Sequence, residues 1–178
     1  MKQYWYLIAT LPGLHLGEKP LISSAAFLSL CADQLTPDEL SGVTAILPLR
    51  EPPAGIASNL WNNEIQLRNA IVRVRAKNSS LDATPFLQTH SGYHVSMEKM
   101  VTDAFTRPNP MEQQMELDRV RWSMADELAG TDSFGVVSIL AYAVKLRIAE
   151  YWATLDDEKG RQHVEELITA SLETIKNR

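Results

Sequence analysis

Apolar residues recur at helical spacing along most of the chain, most clearly between residues 57 and 75. At 3.6 residues per turn, one side of this segment collects an apolar stripe interrupted by charges, formed by Ala57, Leu60, Trp61, Glu64, Ile65, Arg68, Ile71, Val72 and Arg75. Glu64 precedes Arg68 by one helical turn, which is the favourable order for an ion pair within a helix. Charges on a packing face predict either an internal network that joins helices or a contact face for another protein.

Cap, proline and glycine signals predict the other helices. Helices begin near Ser23 and Thr36, and further ones cover residues 56–78, 97–105, 110–130, 133–154 and the chain from about 157. Residues 2–11 are rich in aromatic side chains and fit either a short strand or a first helix. We therefore predict an all-α bundle of six or seven helices, as one domain or at most two lobes over residues 1–50 and 56–178.

The expected core follows from the same spacing. The helix over residues 133–154, with Asp132 as its cap, is apolar almost all round, which predicts that it lies at the centre of the bundle. Three other helices carry one apolar stripe each and are expected to bury it. These stripes are Phe27, Leu28, Cys31 and Leu35; Met97, Met100, Val101, Ala104 and Phe105; and Val164, Leu167, Ile168, Leu172 and Ile175.

Composition narrows the function classes. Hydrophobic residues make up 45% of the chain and charged residues 22%, as in an ordinary globular protein, and the formal net charge is −5. The one basic cluster, Arg68, Arg73, Arg75 and Lys77, is interpreted as a solvated helix face, so nucleic acid is not an expected partner. The longest uncharged apolar run covers residues 134–144, well short of the roughly 20 residues that cross a bilayer. A lone Cys31 forms no internal disulfide, which favours a reducing cytoplasm.

The chain offers little catalytic chemistry. His90 and His94 have the spacing of a helical metal pair, but Gly92 between them predicts a loop, and no third ligand is apparent. No glycine-rich phosphate loop occurs. The run from Asp156 to Glu158 is interpreted as a helix start, and Asp126 with Glu127 as a solvated pair. We therefore expect no catalytic, cofactor or metal site and no enzyme activity.

Paired basic and aromatic residues mark the two longest helices near the C-terminus. They are Arg121 with Trp122, Lys145 with Arg147, and Tyr151 with Trp152. Such residues act either as interface hot spots or as core anchors whose charged ends reach solvent.

Four segments together resemble a known family. They are the run from Tyr4 to Pro12; the spaced residues Trp61, Glu64, Leu67, Arg68, Asn69, Arg75 and Ala76; Asn109, Pro110, Arg121, Trp122, Asp126, Glu127 and Leu128; and the pattern from Phe134 through Lys145 and Arg147 to Trp152. The chain resembles an uncharacterised bacterial family found alongside the components of V-type ATP synthases. That family looks like a distant relative of one subunit of the synthase, its C subunit, which is called the d subunit in eukaryotes. We refer to this subunit as the socket protein.

The resemblance implies a non-catalytic role. The socket protein lies between the rotor stalk and the membrane ring, so the chain is expected to be a coupling or assembly component of an ion-transporting synthase. Its partners would be stalk or ring subunits, and its location cytoplasmic and peripheral to the inner membrane, without insertion. The residues expected to hold the helices together or to contact a partner are Trp61, Glu64, Arg68, Asn69, Arg75, Arg121, Trp122, Lys145 and Arg147. Because this chain is short for a full socket, an accessory role in the same complex is also implied.

Two further expectations concern an alternative function and the stability of the fold. The alternative from a different class is a free-standing helical enzyme or ligand-binding protein with its site near His90, Tyr93 and His94. If Glu64 is buried and Arg68 is its partner, Arg68→Ala is expected to cost more than about 2 kcal/mol of stability.

Overall fold

The regular structure of the chain is helical throughout the part that can be described. The computed structural model describes residues 3–49, 55–155 and 157–176, and no strand occurs in these ranges. Its α-helices, in chain order, are α1 (Trp5–Thr10), α2 (Ser24–Ala32), α3 (Pro37–Ile46), α4 (Ser58–Asn78), α5 (Met97–Ala104), α6 (Pro110–Gly130), α7 (Val136–Thr154) and α8 (Asp157–Lys176). The all-α prediction is confirmed. Eight α-helices are described, one more than the largest number predicted, because the aromatic N-terminal run forms the short helix α1.

Helix α7 lies at the centre, as its sequence predicts. Its buried side chains include consecutive positions, for example Ile139, Leu140 and Ala141, so the helix is covered on several sides. Helices α2, α3 and α6 pack against it. The predicted central role of this segment is therefore confirmed.

Two clusters of apolar side chains form the core. The first joins residues of α1, α2 and α3, such as Leu7, Phe27 and Val43, to the middle of α7. The second joins α4, α5 and α6 through residues that include Leu67 and Val101. The predicted stripes of α2 and α5 are confirmed, with Met100, Phe105 and Leu28 partly buried at their edges.

The predicted caps hold at three helices and fail at a fourth. The Ser23 side chain caps α2 by accepting a hydrogen bond from the first turn of that helix. Thr36 forms a reciprocal capping box with Glu39 at the start of α3, and the Asn109 side chain accepts a hydrogen bond from the first turn of α6. The prediction that Asp132 caps α7 is wrong, because the helix begins at Val136 after the N-cap Gly135. A Cβ atom at Gly135 would lie 1.7 Å from Asp132 Oδ2, so a larger residue at this position would displace the Asp132 side chain.

The expectation for α8 is also wrong. Val164, Leu167 and Ile168 are exposed by 54%, 55% and 55%, and they belong to neither core cluster. The physical reason is that amphipathic spacing marks an apolar face without supplying an element to cover it. Leu172 and Ile175, which complete the predicted stripe, lie outside the described side chains.

Three other findings concern the limits of the fold. The segment between the two predicted lobes, residues 51–55, lies almost entirely outside the described residues. The described helices of the predicted N-terminal lobe share one core cluster with α7, and the division into lobes stays a prediction. Among the described helices, none combines the length and the apolar character needed to span a bilayer.

Candidate functional site

A network of buried charges joins the middles of α4 and α6. We refer to Glu64, Arg68, Asp118 and Arg121 as the charge network. Glu64 and Arg68 stand one turn apart on α4, and Asp118 and Arg121 stand three residues apart on α6, so each pair shares a helix face. Both carboxylates are buried, with Glu64 5% and Asp118 5% exposed.

Glu64 accepts hydrogen bonds from both arginines. Its Oε1 lies 2.7 Å from Arg68 Nε and 3.2 Å from Arg121 Nη2, and its Oε2 lies 2.8 Å from Arg121 Nε. The two-point contact with Arg121 has the fork geometry that makes arginine–carboxylate pairs strong. Sequence spacing predicts the pair within α4, and the structure adds the bond to α6.

Asp118 connects the charge network to α7. Its Oδ1 lies 2.8 Å from Arg121 Nη1, and its Oδ2 accepts from Gln114 Nε2 and from the buried Trp152 Nε1–H, each at 3.0 Å. All four carboxylate oxygens of Glu64 and Asp118 are thus satisfied. Because buried charges are tolerated only when paired and hydrogen-bonded, this arrangement fixes how the three helices meet.

Burial and charge act in opposite directions on Arg121. Burial lowers the pKa of its guanidinium, but Glu64 and Asp118 outweigh burial and raise the pKa above the ordinary value. Arg121 is therefore a permanent cation at the centre of the network.

Arg68 lies at the solvent edge of the network. Its side chain is 37% exposed, against 16% for Arg121. Besides Glu64, it donates to the Leu49 carbonyl at 2.6 Å, and it stacks over Trp61 at 5.1 Å from the ring centroid. It ties the end of the α3 region to α4, with only part of its charge removed from water.

A second part of α4 holds the loop that follows it. The Asn69 side chain exchanges two hydrogen bonds with the backbone of Gln88, at 2.7 and 2.9 Å. One turn earlier, Gln66 does the same with the backbone of His94, at 2.9 and 2.8 Å. Asn69 therefore anchors the loop to α4. The sequence alone predicts only that Asn69 belongs to a network or contacts a partner.

Lys145 and Trp122 form a smaller contact between α6 and α7. Lys145 Nζ lies 2.6 Å from Asp126 Oδ1 and 5.5 Å from the centroid of the partly buried Trp122 ring. Asp126 and Glu127 are both exposed, as the sequence predicts, and each also has a surface partner, which for Glu127 is His94 Nε2 at 3.0 Å. These contacts lie near the surface and contribute little individually.

Arg75 is not on the packing face. It is exposed and lies 5.9 Å from the Phe105 ring centroid, whereas the buried side of α4 includes Leu67, Ala70 and Ala76. The α4 helix is buried over a wider arc than the single predicted stripe, because α5 and α6 both pack on it. The expected network role of Arg75 is thus reduced to one contact with an aromatic ring.

The histidine loop is not helical in the structure. His94 contacts Glu127 and Ser96, and His90 Nδ1 is buried with no hydrogen-bond partner among the described residues. Within the described ranges, no three histidine, cysteine or acidic side chains stand close enough together to hold a metal ion. Cys31 is fully buried, and its burial raises the pKa of the thiol to about 12, which suits a core residue and not a nucleophile.

Sequence reasoning missed Asp118, Gln66 and Gln114. Asp118 had a usable signal, since it precedes Arg121 by one helical turn on a segment with a buried apolar face. Gln66 had none, because its partners are backbone atoms of a loop whose path the sequence does not reveal.

The fold and the site together define an all-α protein whose helices are joined by a buried charge network. A model of one protein family matches residues 94–174, and its description is "Protein of unknown function (DUF2764)". The matched segment contains α5 to α7 and most of α8, and therefore Asp118, Arg121, Trp122, Lys145 and Arg147, but not α4. No curated protein and no solved structure matches the chain.

Proposed function

We propose that the protein is a non-catalytic assembly or coupling component of a bacterial V-type ATP synthase, related to its socket protein, and that α8 contacts a helix of another synthase component. The resemblance of the sequence to the synthase-associated family supplies the identity of the complex. The exposed apolar face of α8 is the observation that carries the idea of a binding protein.

The chemistry of that face suits a helical partner. Val164, Leu167 and Ile168 lie within about one turn on one side of α8, while Glu165 and Glu166 beside them are exposed. An amphipathic helix with apolar positions three and four residues apart is the usual form in which a helix enters a groove or pairs with another helix. The charge network, which reaches α7 through the bond between Asp118 and Trp152, would hold α7 firmly at the base of α8.

The test is affinity purification of the tagged protein from gently solubilised membranes of its own host. Mass spectrometry should find stalk or ring subunits of the synthase in stoichiometric amounts. The variant Val164→Glu/Ile168→Glu should lose them, because two charges on the contact face remove the burial of both side chains. A monomer free of synthase subunits would overturn the proposal.

A matched control adds the same charges elsewhere on α8. Gln162→Glu/Thr169→Glu places two acids on the opposite side of the helix, where both residues are exposed. This variant should retain the synthase subunits. Equal loss in both variants would mean that charge on α8, and not its apolar face, governs the association.

The enzyme alternative near His90 and His94 stays a hypothesis with its own test. Purified protein is screened for thermal stabilisation by metals and nucleotides, where a ligand at a hundred times its dissociation constant adds about 2.7 kcal/mol. A clear shift that is abolished by His94→Ala would favour this alternative over the synthase role.

A further inference from the structure

An open cleft of about 270 Å³ lies over the charge network, between α4, α6 and α7. Its wall combines charged and polar side chains, namely Glu64, Arg68, Asp118, Arg121, Arg147 and Tyr151. We refer to it as the network cleft. Its volume is slightly below the range of drug-sized pockets and suits a small ligand.

The charges in the network cleft do not balance. Three guanidinium groups face two carboxylates, and all the carboxylate oxygens already accept hydrogen bonds from Arg68, Arg121, Gln114 or Trp152. Arg147 forms no hydrogen bond or ion pair with any described residue. The cleft therefore carries one excess positive charge, and the five N–H donors of Arg147 are unused by the described chain.

The surroundings of Arg147 make this charge unfavourable without a counter-ion. Arg147 is half-buried. Burial and the neighbouring Arg121 lower the pKa of its guanidinium, against the opposing effect of Glu64 and Asp118. Arginine stays protonated at neutral pH despite such a shift. A partly desolvated cation beside two other cations is stabilised by any anion that reaches it.

We propose that the network cleft is a binding site for a small monocarboxylic acid, whose carboxylate pairs with Arg147. A planar carboxylate matches the two parallel N–H bonds that a guanidinium offers. One negative charge balances the cleft, whereas a phosphate dianion would add a second charge close to Glu64 and Asp118. The apolar part of the acid would lie against Ile148 and the Tyr151 ring, which line the same wall. This proposal is independent of the synthase role.

The experiment titrates the full-length protein with sodium propionate and with sodium chloride at constant ionic strength, while the arginine Nε–H signals are followed by NMR. Propionate should shift the Arg147 signal saturably with a dissociation constant of about 1–10 mM. A linear shift that is equal for chloride would overturn the site, as would tighter binding of inorganic phosphate.

Two variants test whether the effect belongs to this residue. Arg147→Gln should remove saturable binding while the protein stays folded, since Arg147 holds no described partner. Arg119→Gln removes a charge from an exposed position of α6 and should leave the propionate titration unchanged. Unchanged propionate binding in Arg147→Gln, judged from the remaining arginine signals of the cleft, would overturn the proposal.

Discussion

At the residue scale, Arg121 is the position where three helices are joined. It holds Glu64 of α4 and Asp118 of its own helix, and Asp118 in turn accepts from Trp152 of α7. Arg68 shares Glu64 but is more than twice as exposed. Removing Arg68 leaves Glu64 with a buried partner, whereas removing Arg121 leaves both carboxylates without their main cation.

We therefore expect Arg121→Ala to lower the free energy of unfolding by about 3–5 kcal/mol, the usual cost of breaking a buried pair. The structure reduces the cost expected for Arg68→Ala to about 1 kcal/mol, because its pair with Glu64 is partly screened by solvent. Urea unfolding followed by circular dichroism measures both values.

Arg119→Ala is the matched control for Arg121→Ala. Arg119 lies two residues earlier on α6 with its side chain 62% exposed, so its loss should change stability by no more than about 0.5 kcal/mol. If the two alanine variants unfold at the same urea concentration, the charge network does not hold the helices together.

Sequence reasoning at this scale predicts the ion pair on α4 and names Arg121 as a candidate for a network, but it does not predict the contact of Arg121 with Glu64. A separation of one turn within a helix is visible in the sequence, whereas the contact of Glu64 with Arg121 depends on how α4 and α6 cross. The spacing of Asp118 and Arg121 is equally visible, but it has meaning only once both are known to face α4.

At the scale of the elements, the loop between α4 and α5 is held by two side-chain amides. Asn69 and Gln66 each bind the backbone of one loop residue in both directions, Gln88 and His94 respectively. Apart from the 3₁₀ helix Thr84–Phe86, this loop has no regular secondary structure. The two side-chain amides therefore supply hydrogen bonds that the backbone of the loop would otherwise form within a helix or a sheet.

Asn69→Ala should expose the Gln88 amide to solvent and speed its hydrogen exchange by at least tenfold, since about 1.4 kcal/mol of local protection corresponds to that factor. Gln66→Ala should act in the same way on the His94 amide. Residue-resolved exchange by NMR measures both sites, and each variant is the control for the other. Equal acceleration at both sites in either variant would mean that the loop opens as one unit.

The start of a helix can be predicted where a side chain forms the cap, but not where the N-cap residue makes no side-chain hydrogen bond. Thr36 and Asn109 carry their signal in the sequence, as a capping residue followed by proline. At α7 the N-cap is Gly135, which has no side chain to mark the helix start, so the sequence points to Asp132 instead.

At the scale of the whole molecule, α8 is amphipathic, but those of its side chains that the structure describes lie outside both core clusters. Its sequence correctly indicates one apolar face, but the expectation that the chain itself covers that face is wrong. Hydrophobic spacing indicates which residues form an apolar face, but it does not indicate whether the same chain or another molecule buries that face. The central position of α7 could be predicted because a helix that is apolar all round is stable only when surrounded.

Removing residues 156–178 should therefore leave the melting temperature within about 2–4 °C of the intact chain, the shift that 1 kcal/mol produces in a protein of this size. By contrast, Trp152→Ala should lower it well beyond that range, because Trp152 is buried at the end of α7 and donates to Asp118. Differential scanning calorimetry measures both. A large loss on truncation would show that α8 contributes to the core.

The division of the charge network along the chain has a further consequence. Glu64 and the apolar residues Leu67 and Ala70 lie on α4, outside the segment that matches the family model, while Asp118 and Arg121 lie inside it. We therefore expect that the matched segment does not fold alone, since cutting it free would remove the helix on which α5 and α6 pack. A peptide with the sequence of α4 would restore only part of the missing packing, because α7 also packs against α1, α2 and α3. The packing that covers the matched segment thus begins as early as α1, well before the residue at which the family match begins.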